Sequence, residues 1–206
     1  MVTRMNRATL QLTRHPVDSP AIQSLSDGTA PNSDLLLYLR QLERLAFRDY
    51  LTELPNRCAI DFAIGKQLGA FHRYGVSFSV VLVDLDDFKW VNDRHGHPAG
   101  DRVLRSVAES LRHSIREADF PGRWGGEEFM VIAPFTDEMG LPALAERIRT
   151  QIAATQIRLG RSVVRITASI GATACRPNDD ARSLIERVDA LLYKSKSGGK
   201  NRATYN

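Results

Sequence analysis

The 206-residue chain is 43% hydrophobic, enough for one domain with a real core plus a tail, and its 28 basic and 24 acidic residues leave a net charge of only +4. So mild a charge, with the basic residues scattered, suits phosphate ligands and argues against a dedicated binder of long nucleic acid. No apolar run nears the roughly 18 residues of a membrane span, and no apolar core follows the basic start as in a signal peptide. Two distant cysteines, Cys58 and Cys175, suggest neither a disulfide framework nor a thiolate metal site. Together these features predict a cytoplasmic protein with no membrane anchor in this chain.

Residues 1–32 lack periodicity and carry Pro16, Pro20 and Pro31, which predicts a disordered leader. From Ser33, the spacing of Leu35, Tyr38, Leu42 and Leu45 predicts a helix over 33–48, able to pack on its own domain or pair with a second copy as a linker. A turn around Pro55 follows. Asn56 then caps a helix running to Tyr74, with Ile60, Ala63, Ile64, Leu68 and Phe71 inward and Gly75 as its stop. Phe78 to Leu85 is a nearly continuous β-branched run, the pattern of a central strand covered on both faces. It ends in Asp84-Leu85-Asp86-Asp87, a place where a sheet can fix carboxylates for a hard cation; capping acids for the next helix would explain one of these aspartates but not three.

Phe88 to Asp93 predicts a short helix, and His95 to Asp101 a loop entering an amphipathic helix with Val103, Leu104, Val107, Leu111 and Ile115 on one face. His95 and His97 lack a third nitrogen or sulfur ligand, so zinc is a poor fit. In Arg123-Trp124-Gly125-Gly126-Glu127-Glu128-Phe129 the glycines predict a two-residue hairpin turn with positive φ, returning into a buried strand from Phe129 to Ile132. Two glutamates then stand at the mouth of a hairpin, either as solvated acids or as groups that a cation neutralises. A helix is expected from Asp137 to Thr155, a one-faced strand from Val164 through Ile170, and a helix from Asp180 to Ser195. The glycine-rich tail that follows carries Lys196 and Lys200. Alternating elements of this kind predict an α/β sandwich with helices on both faces of its sheet.

These blocks resemble the GGDEF domain of bacterial diguanylate cyclases, with Gly125 to Phe129 as a GGEEF form of the signature. The likeness covers Leu45 to Tyr205 and includes Asp49 to Arg57 (DYLTELPNR), Asp84 to Asp93 (DLDDFKWVND), His95 to Asp101 (HGHPAGD) and Tyr193 to Asn201 (YKSKSGGKN). It implies a palm-like nucleotidyl cyclase fold, an α/β (α+β) domain over 49–206 with a central five-stranded mixed sheet surrounded by helices. It also implies condensation of two GTP into cyclic di-GMP by a homodimer, formed at least during catalysis. A non-catalytic module binding GTP or cyclic di-GMP is the second reading.

Carried over by motif, Asp84, the Leu85 carbonyl, Glu127 and Glu128 are implied to hold Mg²⁺ or Mn²⁺, with Glu127 and Lys89 catalytic. Phe88, Asn92, His97, Asp101, Gly125, Gly126, Lys196 and Lys200 are implied to bind substrate. Asn92 and Asp101 would read guanine, and Lys89, Lys196 and Lys200 the triphosphate. Lys200 stands where the family often has Arg, and Glu53 where it usually has Gly. Arg116 and Asp119 match its R-x-x-D inhibitory site for the product, with Arg147 in support.

Overall fold

The computed structural model describes residues 33–159 and 162–206; the predicted leader over 1–32 lies outside them. Helix α1 (Ser33–Phe47) leads through a turn into α2 (Arg57–Tyr74). Asn56 caps α2, its Oδ1 accepting the Ala59 N–H at 3.1 Å, and Gly75 closes it at φ 66°. Then come β1 (Phe78–Leu85), α3 (Phe88–His95), α4 (His97–Ser114), β2 (Phe120–Arg123), β3 (Glu128–Pro134) and α5 (Leu141–Ala154). The chain finishes with β4 (Ile157–Leu159), β5 (Ser162–Val164), β6 (Ala168–Ala174), α6 (Ala181–Ser197) and β7 (Ala203–Tyr205).

Five strands form the main sheet in the order β2-β3-β1-β6-β7. β1 runs antiparallel to both neighbours, and only β6 and β7 pair in parallel. The pleat sorts β1 strictly. Val81, Val83 and Leu85 enter one core with Phe129, Val131, Val103, Leu111 and Ile148, beneath α4 and α5. Phe78, Val80 and Leu82 enter the other with Met130, Ile132, Ile60, Ile64 and Val188, beneath α2 and α6. Asp84 continues the second series, so it points to the α2–α6 face just where that core ends. No helix among the described residues is long and apolar enough to cross a membrane.

Four expectations are corrected. Neither Gly125 nor Gly126 has positive φ, and the turn spans 124–127 because the Trp124 and Gly125 N–H groups both donate to the Glu128 carbonyl, at 2.9 and 3.3 Å. Gly96 alone separates α3 from α4, so most of the expected 95–101 loop is helix. The helix expected from Asp137 begins at Leu141, because Asp137 Oδ1 takes the Met139 and Gly140 N–H groups at 3.1 and 3.0 Å and fixes a turn there instead. The strand expected from Val164 is split between a β4–β5 hairpin and β6, and β6 is buried on both faces. In α1, the side chains of Leu35 and Tyr38 lie outside the described residues, while Leu42 and Leu45 are exposed at 44% and 78%. Glu53 holds a left-handed φ of 57°, its carbonyl accepting Arg48 Nη1 at 2.7 Å, which explains how a non-glycine residue is kept there.

Candidate active site

The sheet register brings the acids together. Asp84, 5% exposed, is directly opposite Glu128 on the neighbouring strand, and the Leu85 N–H donates to the Glu127 carbonyl at 3.3 Å. Like charges facing each other across a ladder repel. Burial pushes the Asp84 carboxyl above the usual carboxylate range despite the Lys196 ammonium, whose Nζ lies 2.7 Å from Asp84 Oδ2. Burial likewise raises Glu127, helped by the charges of Asp84 and Glu128, and it raises Glu128, helped by Asp84 and Asp189. Among the described residues no three His, Cys, Asp or Glu side chains form a ready-made metal cage. The donor set is nevertheless hard oxygen, and Mg²⁺ is usually held by one or two carboxylates, with phosphates and water completing its shell.

The hairpin is locked from a distance. Arg123 Nη2 donates to the Gly126 carbonyl at 2.7 Å, while its Nε reaches the Gly125 and Gly126 carbonyls at 3.3 and 3.2 Å. Its Nη1 holds both oxygens of Asp49, at 3.1 and 3.0 Å. Burial alone would raise Asp49, but the Thr52 hydroxyl and N–H together with Arg123 leave its carboxyl below the usual range. A Cβ on Gly125 would stand 2.8 Å from Glu128 Oε2, so the Glu128 carboxylate lies directly over that glycine and a side chain there would displace it.

Beside the acids, α3 and α4 frame a second feature. Asn92 and Asp101 are half-buried, His97 and Lys89 are exposed, and Phe88 is buried. A Cβ on Gly100 would meet Asn92 Oδ1 at 1.9 Å and the Phe88 ring at 3.1 Å, so the Asn92 amide lies directly across the Gly100 backbone. From the C-terminal side, Lys200 Nζ donates to the Asp87 carboxylate. The structure thus gathers Asp84, Glu127, Glu128 and Lys196 at one strand end, with the α3–α4 elements and Lys200 beside them.

Away from this cluster, Arg48, Arg112, Arg116 and Asp119 line a cavity of about 240 Å³ floored by Leu54 and Pro121. Asp119 Oδ2 accepts the Arg116 N–H at 2.8 Å, whereas its buried Oδ1 has no hydrogen-bond partner among the described residues. Burial raises this carboxyl as well, against the opposing pull of Arg116 and Arg147. Arg147 Nε donates to the Ser114 carbonyl at the end of α4. Arg116, Asp119 and Arg147 are therefore neighbours, and two further arginines that the sequence did not single out share the cavity.

A mixed sheet of this order, with acids fixed at the end of its central strand and beside a hairpin, defines a palm-like α/β domain of the nucleotidyl cyclase class. Residues 46–202 match the family described as "Diguanylate cyclase, GGDEF domain", and the chain belongs to that family. The diguanylate cyclase DgcP of Pseudomonas aeruginosa is 39% identical over 165 residues, covering 80% of this chain and 25% of DgcP. Diguanylate cyclase A of Treponema denticola is 40% identical over 129 residues, covering 62% of this chain and 35% of that protein. This chain thus spans about a quarter to a third of these relatives. Among solved structures, the coiled coil and GGDEF domain of DgcB from Caulobacter crescentus, in complex with c-di-GMP, superposes with a TM-score of 0.81 at 33% identity. It covers 89% of this chain and 98% of that one.

Sequence reasoning passed over Arg123 and Arg149 and gave Asp86 no role of its own. Arg123 stands next to a glycine turn, where an arginine can cap the turn's carbonyls. Asp86 was grouped with its neighbours. The hydroxyls of Thr167 and Ser169, two apart on one face of the segment leading into β6, were the available sign that something polar is buried against them.

Proposed function

We propose that the domain condenses two GTP molecules into cyclic di-GMP, releasing two pyrophosphates. The observation that carries this reading is the facing pair Asp84 and Glu128 with Glu127 beside it, three carboxyls raised by burial and by one another. Diguanylate cyclases of this family are generally dependent on divalent metal; here Asp84, the Leu85 carbonyl, Glu127 and Glu128 would hold Mg²⁺ or Mn²⁺. When bound, the ion neutralises triphosphate oxygens and acidifies the attacking hydroxyl.

Glu127 takes the proton from the 3′-hydroxyl as that oxygen attacks the α-phosphorus of the second GTP and pyrophosphate leaves. A raised carboxyl is the better base for this step. Lys89, Lys196 and Lys200 hold phosphate oxygens, and Gly125 and Gly126 let the nucleotide approach the hairpin. Asn92 and Asp101 pair with the guanine edge while Phe88 and His97 border the base. Adenine in place of guanine would leave the Asp101 carboxylate unpaired at a cost of ~1–3 kcal/mol. Because each domain presents one GTP, two must meet face to face. The exposed Leu42 and Leu45 of α1 support pairing of that helix, as a linker over 33–48, with a second copy. The 49–206 segment is then the catalytic domain, working in the cytoplasm where GTP is supplied.

Incubation with GTP and Mg²⁺ at high protein concentration tests this: mass spectrometry should find cyclic di-GMP, and binding without turnover would favour the non-catalytic module. The cavity of Arg116 and Asp119 supports a product site, since its unpartnered Asp119 Oδ1 and its arginines suit a guanine edge and a phosphate. Arg116→Ala should leave turnover intact and weaken inhibition by added cyclic di-GMP by about tenfold. Unchanged inhibition would remove that assignment.

A further inference from the structure

Asp86, 8% exposed, stands just beyond β1 and is fully engaged. Its Oδ1 accepts Ser169 Oγ at 2.6 Å, and its Oδ2 accepts Thr167 Oγ1 at 2.6 Å and the Asn201 backbone N–H at 3.0 Å. Its own N–H donates to the Thr167 carbonyl at 2.9 Å. With every bond of this carboxylate directed to protein groups, Asp86 has a role different from that of Asp84 two residues earlier, whose single described partner is a lysine ammonium.

The segment Asp86 holds is the unusual part. Gly199, Lys200 and Asn201 have φ of 111°, 61° and 43°, three successive residues on the left-handed side, two of them bearing a Cβ. Such a run persists only where its surroundings dictate it. The Lys200 N–H donates to the Ser195 carbonyl at 3.1 Å, and Asp86 takes the Asn201 N–H. Arg149 Nη1 reaches Asn201 Oδ1 and the Asn201 carbonyl at 2.9 and 3.4 Å. The turn is therefore bent back over the end of β1, and the Lys200 ammonium meets Asp87 there. Asp86 is the contact that ties this turn to the end of β1 through its backbone; without it the left-handed run keeps only the Ser195 and Arg149 contacts, and Lys200 is less firmly held at the strand end.

We propose that Asp86 is a positioning residue for the triphosphate site: it touches neither nucleotide nor cation, but by holding the 199–201 turn it sets where the Lys200 charge stands. This rests on the reading of Lys200 as a phosphate ligand. The test is equilibrium binding of a non-hydrolysable GTP analogue with Mg²⁺, and separately of guanosine, to the wild type and Asp86→Asn. The variant should bind the analogue about tenfold more weakly while guanosine changes less than about twofold, because only the phosphate end is displaced. A role in stability alone would move both ligands together or neither, and either result overturns the proposal. Should Asp86→Asn not fold, Thr167→Val removes one of the three donors and should show the same selective loss, about threefold; no selective loss overturns the proposal. A wild type that binds the analogue no tighter than guanosine sinks the phosphate reading itself, and the proposal with it. That failure is distinct from a wild type that prefers the triphosphate and a variant that does too.

Discussion

Helix α6 runs between two carboxylate clusters of opposite character. Near its start, Asp179 accepts both outer nitrogens of Arg187, the Arg176 N–H at 2.8 Å and the Ser183 hydroxyl at 3.2 Å. Hydrogen bonds from Arg187 outweigh burial and hold this carboxyl below the usual range. Near its end, Lys196 meets Asp84, and its ammonium is the one cation among the described residues that acts on all three carboxyls, which nonetheless stay above the usual range. The first cluster is complete within the protein. The second has an excess of negative charge on one buried and two half-buried acids, which is the condition under which a divalent ion binds a site the fold leaves unbalanced. Between these two clusters, satisfaction by protein groups marks the structural acid, and incomplete satisfaction marks the acids of the proposed chemistry.

The largest test of that contrast is Glu127→Gln. It keeps the side-chain shape and removes both a base and a repelling charge, so cyclic di-GMP formation should fall by about 10³-fold while the thermal midpoint stays level or rises. Retained turnover would show that another group takes the proton. A smaller effect, on stability rather than chemistry, is expected from Asp179→Ala, which strands the Arg187 guanidinium at 17% exposure. Urea denaturation should show a loss of about 3 kcal/mol, with turnover per folded molecule unchanged. If either variant behaved like the other, the division between structural and chemical acids would fail.

The two clusters were unequally legible. β1 announced itself as an apolar run ending in acids, and Asn56 was readable as a cap because capping is local: its Oδ1 takes the Ala59 N–H at 3.1 Å within one turn. The hairpin was legible as a site but not as a shape, because Arg123 and the Glu128 carbonyl set its conformation rather than the glycines' freedom. The break before β6 was hidden for a similar reason: Thr167 fits a period-two strand until its hydroxyl is claimed by Asp86, 81 positions away. β7 gave no signal, being three residues that depend on pairing with β6. Motif resemblance supplied Lys196 and Lys200, whereas the Asp86 and Arg149 contacts that fix the second lysine's turn are long-range and needed coordinates.

The smallest effect, and the one that sharpens the contrast most, is the pH dependence of stability without divalent ions. Asp179 and Asp49 have folded pKa values below the usual 3.8, so their contribution is complete above that value and is lost as pH falls through the lower folded ones. Asp84, Glu127 and Glu128 have folded values above the usual 3.8 and 4.5, so in that window the folded state binds more protons and stability falls as pH rises. Urea midpoints in EDTA should therefore rise as pH falls through the raised folded values of these three carboxyls, pass a maximum above pH ~4, and drop below it. Saturating Mg²⁺ stabilises the ionised site and should flatten the arm above the maximum while leaving the acid limb, which belongs to Asp179 and Asp49, where it was. If Mg²⁺ shifted the acid limb instead, the ion would be acting on the satisfied carboxylates, and the assignment of the unbalanced cluster as its site would be wrong.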